Sequence, residues 1–231
     1  MTERENLFRP IHKGIRAMIY ELGRRLQTTD FTDETAALAI SKDLRDNLSQ
    51  SVGNCLLCLL HEHSRHEERD IFRPLRPFDP ELVALMMREH VEVVKRIGFL
   101  SKTCAEMMAE TSSARRIEVG DRLNLEANDV FAYYLQHLNN EEATLVPVMW
   151  ERFTDEELRQ MRAKFHSSIP RHRLETWMRW TLPALNVNEL VVFFRGMKSD
   201  GHPRLYDDLV ELAAETVDPV QWESAKVKLA L

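Results

Sequence analysis

Two segments of the chain repeat one pattern, and this repetition is the strongest constraint on its fold. Each copy reads His-x-x-x-Glu-Glu, the first beginning at His63 and the second at His137. On an α-helix, residues four apart lie one above the other on the same face. Each copy therefore directs one imidazole and one carboxylate the same way, and facing helices that do this can bind metal ions in a bundle core.

A single histidine precedes each copy at a similar distance. His12 lies 51 residues before His63, and His90 lies 47 residues before His137. Helical spacing places apolar residues on the face of each histidine, and for His90 these residues are Val83, Met86, Val94 and Ile97. We expect all four histidines to face the protein interior.

Composition indicates an all-α protein without a nucleic-acid partner. The chain has 231 residues and only seven glycines, and its hydrophobic residues recur at intervals of three and four. The net charge of −6, without a run of Lys and Arg, provides no basic surface for phosphates. We also find no uncharged stretch long enough to span a membrane.

Apolar periodicity and helix breakers predict four long helices. They cover about residues 10–26, 33–72, 80–110 and 116–146, and the last ends around Pro147. In the second, residues 29–42 form either a separate short helix or an overhang, with the main helix then starting near Asp43. Long helices with short connections are typical of an antiparallel up-down four-helix bundle.

After residue 150 the helices become shorter and have clear start signals. These are Thr154 to Glu157, Pro170, Asn186 to Glu189, and Asp218 before Pro219. We therefore predict a di-metal bundle over residues 1–150 and a helical appendage over residues 151–231. The appendage contains Trp177, Trp180 and Trp222, whose apolar surface is suited to packing on the bundle, a protein partner or a second copy of the chain.

The three cysteines point to a reducing compartment. Cys55, Cys58 and Cys104 are an odd number at no disulfide-framework spacing, and no signal-like segment opens the chain. We expect a cytoplasmic protein. We expect Cys55 and Cys58 to lie within a helix, away from the histidine face, as small buried hydrophobic residues and not as a redox or zinc pair.

The repeated residues form a coherent set of metal ligands. A carboxylate in an apolar core costs several kcal/mol unless it is paired or binds a cation. Imidazoles and carboxylates together suit iron and are acceptable to zinc or manganese. The predicted metal ligands are His12, His63, Glu67, His90, His137 and Glu141. The second acids of the repeats, Glu68 and Glu142, are expected to be ordinary solvated helix charges.

The order of these ligands resembles that of hemerythrin-like proteins with the HHE cation-binding domain. The resemblance covers about residues 8–150 and implies a four-helix bundle with two oxo- or hydroxo-bridged irons. It also implies that Glu67 and Glu141 bridge the irons, that the histidines cap them, and that a small oxidant binds at an open position. Oxygen-carrying relatives have a further histidine four residues after the one matched by His90, where this chain has Val94.

With that nitrogen ligand missing, a reversible O₂ carrier is disfavoured. The resemblance then implies binding or sensing of O₂, peroxide or nitric oxide, or iron handling. The alternative is a helical interaction protein with a structural di-metal site, for example zinc, and a Trp-rich docking appendage. The sequence does not distinguish a sensor from a scavenger, a storage protein or a weak peroxidase, because all of them use the same ligands.

Overall fold

The structure is a computed structural model, and it describes residues 4–45, 54–199 and 203–230. Every regular element in these residues is helical and none is a strand, which confirms the all-α prediction. The α-helices are α1 (Arg9–Gln27), α2 (Glu34–Leu44), α3 (Leu56–Glu67), α4 (Arg73–Leu75), α5 (Pro80–Ala109), α6 (Ser113–Arg152), α7 (Asp155–Ser168), α8 (Arg171–Ala184), α9 (Val187–Ser199), α10 (Pro203–Thr216) and α11 (Pro219–Leu229). None of the described helices is long and apolar enough to cross a membrane.

Two of the long helices, α1 and α5, have bounds within a residue of those predicted. The start of α5 shows why its sequence signal is reliable. Asp79 caps the helix by accepting a hydrogen bond from the backbone N–H of Leu82 at 2.9 Å. Pro80 follows at the first helical position, where a missing backbone N–H costs nothing because no carbonyl of the helix would receive it.

The region predicted as one helix over residues 33–72 is divided. α2 corresponds to the separate short helix expected before residue 43, and it ends at Leu44 because Arg45 adopts an extended conformation. The Arg45 guanidinium donates a hydrogen bond to the carbonyl of Ser101 at 3.0 Å, which holds this residue outside the helix. The prediction of a main helix that starts near Asp43 is therefore wrong. Residues 46–53 of the predicted helix lie outside the described residues.

The next helix, α3, begins later than predicted, and its start changes the position of Cys55. This residue is the N-cap of α3, with φ −71° and ψ 155°, so the expectation that it lies within a helix is wrong. Cys58 is then in the first turn of α3. The two thiols therefore lie at one end of the helix whose other end carries His63 and Glu67.

The backbone changes geometry directly after Glu67. Residues Glu68–Phe72 form a π-helix, in which the N–H of Arg73 donates to the carbonyl of Glu68, five residues earlier. Such a turn contains one extra residue compared with an α-helix, so it shifts the faces of the residues that follow. Single π-helical turns are frequent at functional sites.

The last long helix, α6, passes through the proline predicted to end it. It continues for five residues beyond Pro147, to Arg152. A proline in a helix interior costs about 3 kcal/mol because it removes one backbone donor and its ring crowds the preceding turn. Here the ring is exposed while Val146 and Met149 are buried on either side of it. Their burial offsets the cost of the proline. Signals in the local sequence do not reveal this burial.

The start signals of the C-terminal helices are confirmed. Thr154 and Glu157 form a capping box at α7, and Asp218 caps α11 through hydrogen bonds from Val220 and Gln221. Asn186 and Glu189 bond reciprocally at the start of α9. α8 packs on α10 and α9 packs on α11.

The chain divides into two compact units, one of residues 18–145 and one of residues 1–17 and 146–231. The first unit contains α3 and α5, and its buried residues include Leu56, Leu59, Leu60, Leu100, Leu123 and Leu138. In the second unit the buried residues include Trp177, Leu182, Leu190, Phe194 and Trp222. Two of the three tryptophans predicted to pack on the bundle or a partner, Trp177 and Trp222, are thus buried.

Candidate metal centre

Five of the six predicted ligands lie in the unit of residues 18–145, on three helices. α3 carries His63 and Glu67, α5 carries His90, and α6 carries His137 and Glu141. All five are buried, and Glu141 has no exposed surface at all. The spacing of four in each repeat places its histidine and glutamate on one helix face, and the burial shows that this face points inward.

The structure brings these side chains together in two overlapping groups. Ligand atoms of Glu67, His90, His137 and Glu141 all lie within 4.8 Å of one another. Ligand atoms of His63, Glu67 and Glu141 meet the same limit. The two glutamates belong to both groups, so each carboxylate is placed where it can be shared between two cations.

The distances within the groups are close to those between ligands of one cation, and most of them are longer than a direct hydrogen bond. His90 Nε2 lies 3.5 Å from Glu67 Oε2 and 3.6 Å from Glu141 Oε1. His137 Nε2 lies 3.4 Å from Glu141 Oε1, and His63 Nε2 lies 3.1 Å from Glu67 Oε1. Nitrogen and oxygen ligands at about 2.1 Å from one ion are roughly 3.0–3.4 Å apart. Three of the four contacts exceed an ordinary N–H···O bond, for which 2.7–3.2 Å is typical.

Electrostatics show what the site requires. Two fully desolvated carboxylates repel each other and are costly without a positive charge. Burial disfavours the charged form of His90, but Glu141 and Glu67 outweigh it and raise the pKa of His90 to about 10. A proton on His90 thus supplies part of the positive charge that the two acids demand. Metal cations would supply it in full.

Two of the predicted ligand histidines, His90 and His137, each contact a further carboxylate through Nδ1. His90 Nδ1 lies 2.9 Å from Glu68 Oε1, and His137 Nδ1 lies 2.8 Å from Glu89 Oε2. When Nδ1 donates its N–H to the carboxylate, Nε2 of each ring faces the shared glutamates, and its lone pair becomes available to a cation once Nε2 carries no proton. Such an outer carboxylate fixes the tautomer and the orientation of a metal-binding imidazole and increases its basicity.

The charge of Glu89 is secured by its own partners. Asn140 donates a second hydrogen bond to this carboxylate, from Nδ2 to Oε1 at 2.9 Å. Partial burial raises the pKa of Glu89, but the hydrogen bonds from His137 and Asn140 outweigh it and lower the pKa below its ordinary value. Glu89 is therefore ionised at neutral pH and remains an acceptor for His137.

The sequence did not identify these outer residues. Glu68 was expected to be a solvated helix charge, which is wrong because its side chain reaches His90 from the first position of the π-helix. Glu89 and Asn140 contact each other across two helices, α5 and α6, and no spacing in the sequence signals such a pair. Glu89 does precede His90 directly, but acids are common beside any helical residue.

Val94 does not share the buried face of His90 as expected, since 46% of its surface is exposed. α5 instead buries Val83, Met86, His90 and Val93, at alternating steps of three and four. A side chain four residues after His90 therefore points away from the site. This agrees with the absence of a ligand at that position.

Aromatic rings enclose the imidazoles. The ring of Phe72 stacks on His90, with centroids 5.0 Å apart, and the rings of His90 and His137 meet edge to face at 4.9 Å. Tyr134 is fully buried beside His137, and its hydroxyl donates to the carbonyl of Leu60 at 3.2 Å. Burial raises the pKa of Tyr134 well above its ordinary value, so the phenol stays neutral.

The sixth predicted ligand, His12, lies in the unit of residues 1–17 and 146–231. It is fully buried on α1, its backbone N–H donates to the carbonyl of Phe8 at 3.0 Å, and the two rings are 5.3 Å apart. The prediction that this histidine is buried is therefore confirmed. Its place as a metal ligand remains a prediction from the sequence pattern.

Comparison with known proteins gives one match. Residues 5–149 match the family model of the hemerythrin HHE cation binding domain. No curated protein and no solved structure matches the chain. The matched span contains all six predicted ligands and both outer carboxylates described above.

Proposed function

Because the chain belongs to the hemerythrin HHE cation-binding domain family over residues 5–149, we propose that it is a non-haem di-iron protein. It would bind or sense O₂, peroxide or nitric oxide, or handle iron. The observation that carries this proposal is the sharing of Glu67 and Glu141 between two groups of buried ligand atoms. One cation would satisfy each group, and the two acids would bridge them.

The ligands follow from this arrangement. His90 and His137 would bind one ion and His63 the other, with Glu67 and Glu141 between them. We propose His12 as a further ligand, from its place in the sequence pattern and from its complete burial.

The mixed nitrogen and oxygen donors suit iron and also accept zinc or manganese. An iron pair would supply an open coordination position for a small oxidising or diatomic ligand. The chain provides one histidine fewer than the oxygen carriers, and Val94 points away from the site. This favours sensing, scavenging or iron handling over reversible oxygen carriage.

We also propose the architecture around the site. Residues 1–150 would form an antiparallel up-down four-helix bundle, and residues 151–231 a helical appendage. A cytoplasmic location suits iron chemistry in a chain with thiols and no disulfide framework.

The alternative, a structural zinc pair with a Trp-rich docking surface, has less support. Docking through tryptophans requires exposed rings, whereas Trp177 and Trp222 are buried. The ring of Trp222 packs on Phe194 with centroids 5.3 Å apart. Buried rings of this kind are not available to a partner.

Metal analysis combined with an optical spectrum tests the proposal. The purified chain of 231 residues, reconstituted with ferrous iron and exposed to air, is expected to hold two irons by elemental analysis. Bridged ferric pairs have near-ultraviolet charge-transfer bands, and these bands should change on addition of azide, peroxide or nitric oxide.

The matched control is Glu142→Ala, which alters the second acid of one repeat on a regular helix. It should keep both irons and the same spectrum. Zinc at two equivalents, with no iron uptake and no absorption that responds to azide, would favour the structural alternative. A protein that binds neither metal would overturn both.

A further inference from the structure

The two thiols at the start of α3 form a contact that the metal site does not explain. Cys55 Sγ and Cys58 Sγ lie 2.6 Å apart. Two sulfur atoms in a disulfide are about 2.05 Å apart, and non-bonded sulfurs normally keep a much larger distance. Cys55 is the N-cap of α3 and Cys58 is in its first turn, so the two side chains converge on one side of the helix end.

The surroundings make the two sulfurs unequal. Cys55 is buried, with 4% of its surface exposed, whereas Cys58 is half-buried and reachable from solvent. The partial positive charge at a helix N-terminus favours thiolate over thiol. Cys58 is thus the sulfur that an external reagent meets first, and Cys55 is placed behind it.

A zinc site is a poorer interpretation of the same pair. Within residues 4–45, 54–199 and 203–230, no group of three metal-capable side chains includes either thiol. The third cysteine, Cys104, is fully buried on α5. Burial raises the pKa of the Cys104 thiol to about 12 against the opposing effect of Arg45, so this thiol stays protonated and unreactive.

We propose that Cys55 and Cys58 are a reversible dithiol–disulfide pair that exchanges with small-molecule disulfides. The Cys58 thiolate attacks one sulfur of the small disulfide, whose S–S bond breaks and releases one thiol after protonation. Cys55 then gives up its proton and attacks Cys58 Sγ, which releases the second thiol. The two cysteine sulfurs are oxidised by two electrons in total, and the small disulfide is reduced to two thiols.

The disulfide would form on the same helix that carries two of the predicted metal ligands. His63 is five residues after Cys58, and Glu67 is nine residues after it, on the same α-helix. A disulfide at the N-terminal turn would fix one end of the element that positions both side chains. Closing it requires the sulfurs to approach by only about 0.6 Å from their present contact, so α3 can stay helical in both states.

The test is thiol counting at defined redox poise. The whole chain is equilibrated with reduced and oxidised glutathione at ratios from fully reducing to fully oxidising. It is then denatured and alkylated, and its mass and peptide map are measured. We expect three alkylated cysteines at the reducing end. At the oxidising end we expect one, with a disulfide mapped to Cys55 and Cys58 that dithiothreitol reopens.

Matched variants separate this pair from the third cysteine. Cys104→Ser should form the same disulfide at the same midpoint, and Cys58→Ser should form none. Cys58→Ser should still bind metal at the wild-type stoichiometry, which shows that it is folded. If it does not fold, the wild-type peptide map alone decides.

Three outcomes would overturn the proposal. The first is three alkylated cysteines in wild-type protein at every glutathione ratio. The second is accumulation of a stable mixed disulfide with glutathione in place of the internal bond. The third is a disulfide that involves Cys104 and therefore disappears in Cys104→Ser.

Discussion

The two copies of His-x-x-x-Glu-Glu have the same sequence pattern but lie on backbones of different geometry. After Glu67 the chain enters a π-helix, and the next acid, Glu68, contacts His90 on α5. After Glu141 the α-helix continues without interruption to Arg152. His137 in the second copy is held by Glu89 of α5 and not by an acid of either repeat.

The difference shows that the repeated motif places the predicted ligands, whereas the carboxylates behind them come from different parts of the fold. Both His90 and His137 have a carboxylate at Nδ1, but one comes from a repeat and the other from a neighbouring helix. In both cases a carboxylate orients the imidazole and makes its Nε2 more basic, but the two carboxylates come from different parts of the fold.

The largest effect is expected when one of the two glutamates that belong to both ligand groups is removed. Glu67→Ala or Glu141→Ala should lose most of the bound metal, because each acid serves both ligand groups. Loss of tight metal binding should lower the melting temperature by about 5–15 °C in the presence of metal. Elemental analysis and calorimetry measure the two effects, and His63→Ala should change both in the same direction.

Melting temperatures of the metal-free proteins, prepared with a chelator, provide the control for this comparison. Without metal, a variant lacking one buried acid should melt at or above the wild-type temperature, because the repulsion between the two carboxylates is relieved. Stoichiometric metal in a double variant lacking both acids would refute the ligand assignment.

The next largest effect should distinguish the second acids of the two repeats. Glu68→Ala should weaken metal binding by about 10–100-fold, because His90 loses the carboxylate that orients it. Glu142→Ala, the equivalent change in the second copy, should leave the affinity unchanged. Competition with a chelator of known affinity measures both variants, and equal losses would show that the π-helix makes no functional difference.

His90 faces the acids of both copies, and its proton competes with metal. Its pKa of about 10 lies above the ordinary value of 6.5, so the metal-free protein holds this proton at neutral pH. Its stabilising charge is fully present below about pH 6.5 and is lost as the pH rises through about 10. Metal affinity should therefore increase about tenfold per pH unit between pH 6 and 8. Zinc titrations in weak buffer with a pH indicator should show the released proton, and a pH-independent affinity would contradict the prediction.

The smallest effect concerns the support of Glu89. Asn140→Ala removes one hydrogen bond to this carboxylate and leaves the one from His137. The metal affinity should fall by about two- to tenfold, as expected for a single hydrogen bond. Glu89→Ala, measured in the same chelator assay, should cost more. If Asn140→Ala proves the more damaging of the two, Glu89 is not the residue that orients His137.

Local signals predicted the elements that depend on local chemistry. Asp79, Thr154 and Asp218 cap helices as their sequence contexts indicate, because a cap is formed by side chains within three residues of the backbone they bond. The continuation of α6 through Pro147 was not predictable in this way. Its cost is local, but the burial that offsets it depends on distant residues.

The sequence by itself determined the all-α class of the protein and the inward-facing His and Glu pairs predicted as ligands, since helical period and a spacing of four are properties of the chain. Only the tertiary structure decided the π-helix after Glu67, the outer roles of Glu68 and Glu89, and the contact between Cys55 and Cys58. The outer carboxylates join different helices, and the π-helix and the start of α3 are not signalled by their local sequence. Such features depend on how whole elements pack.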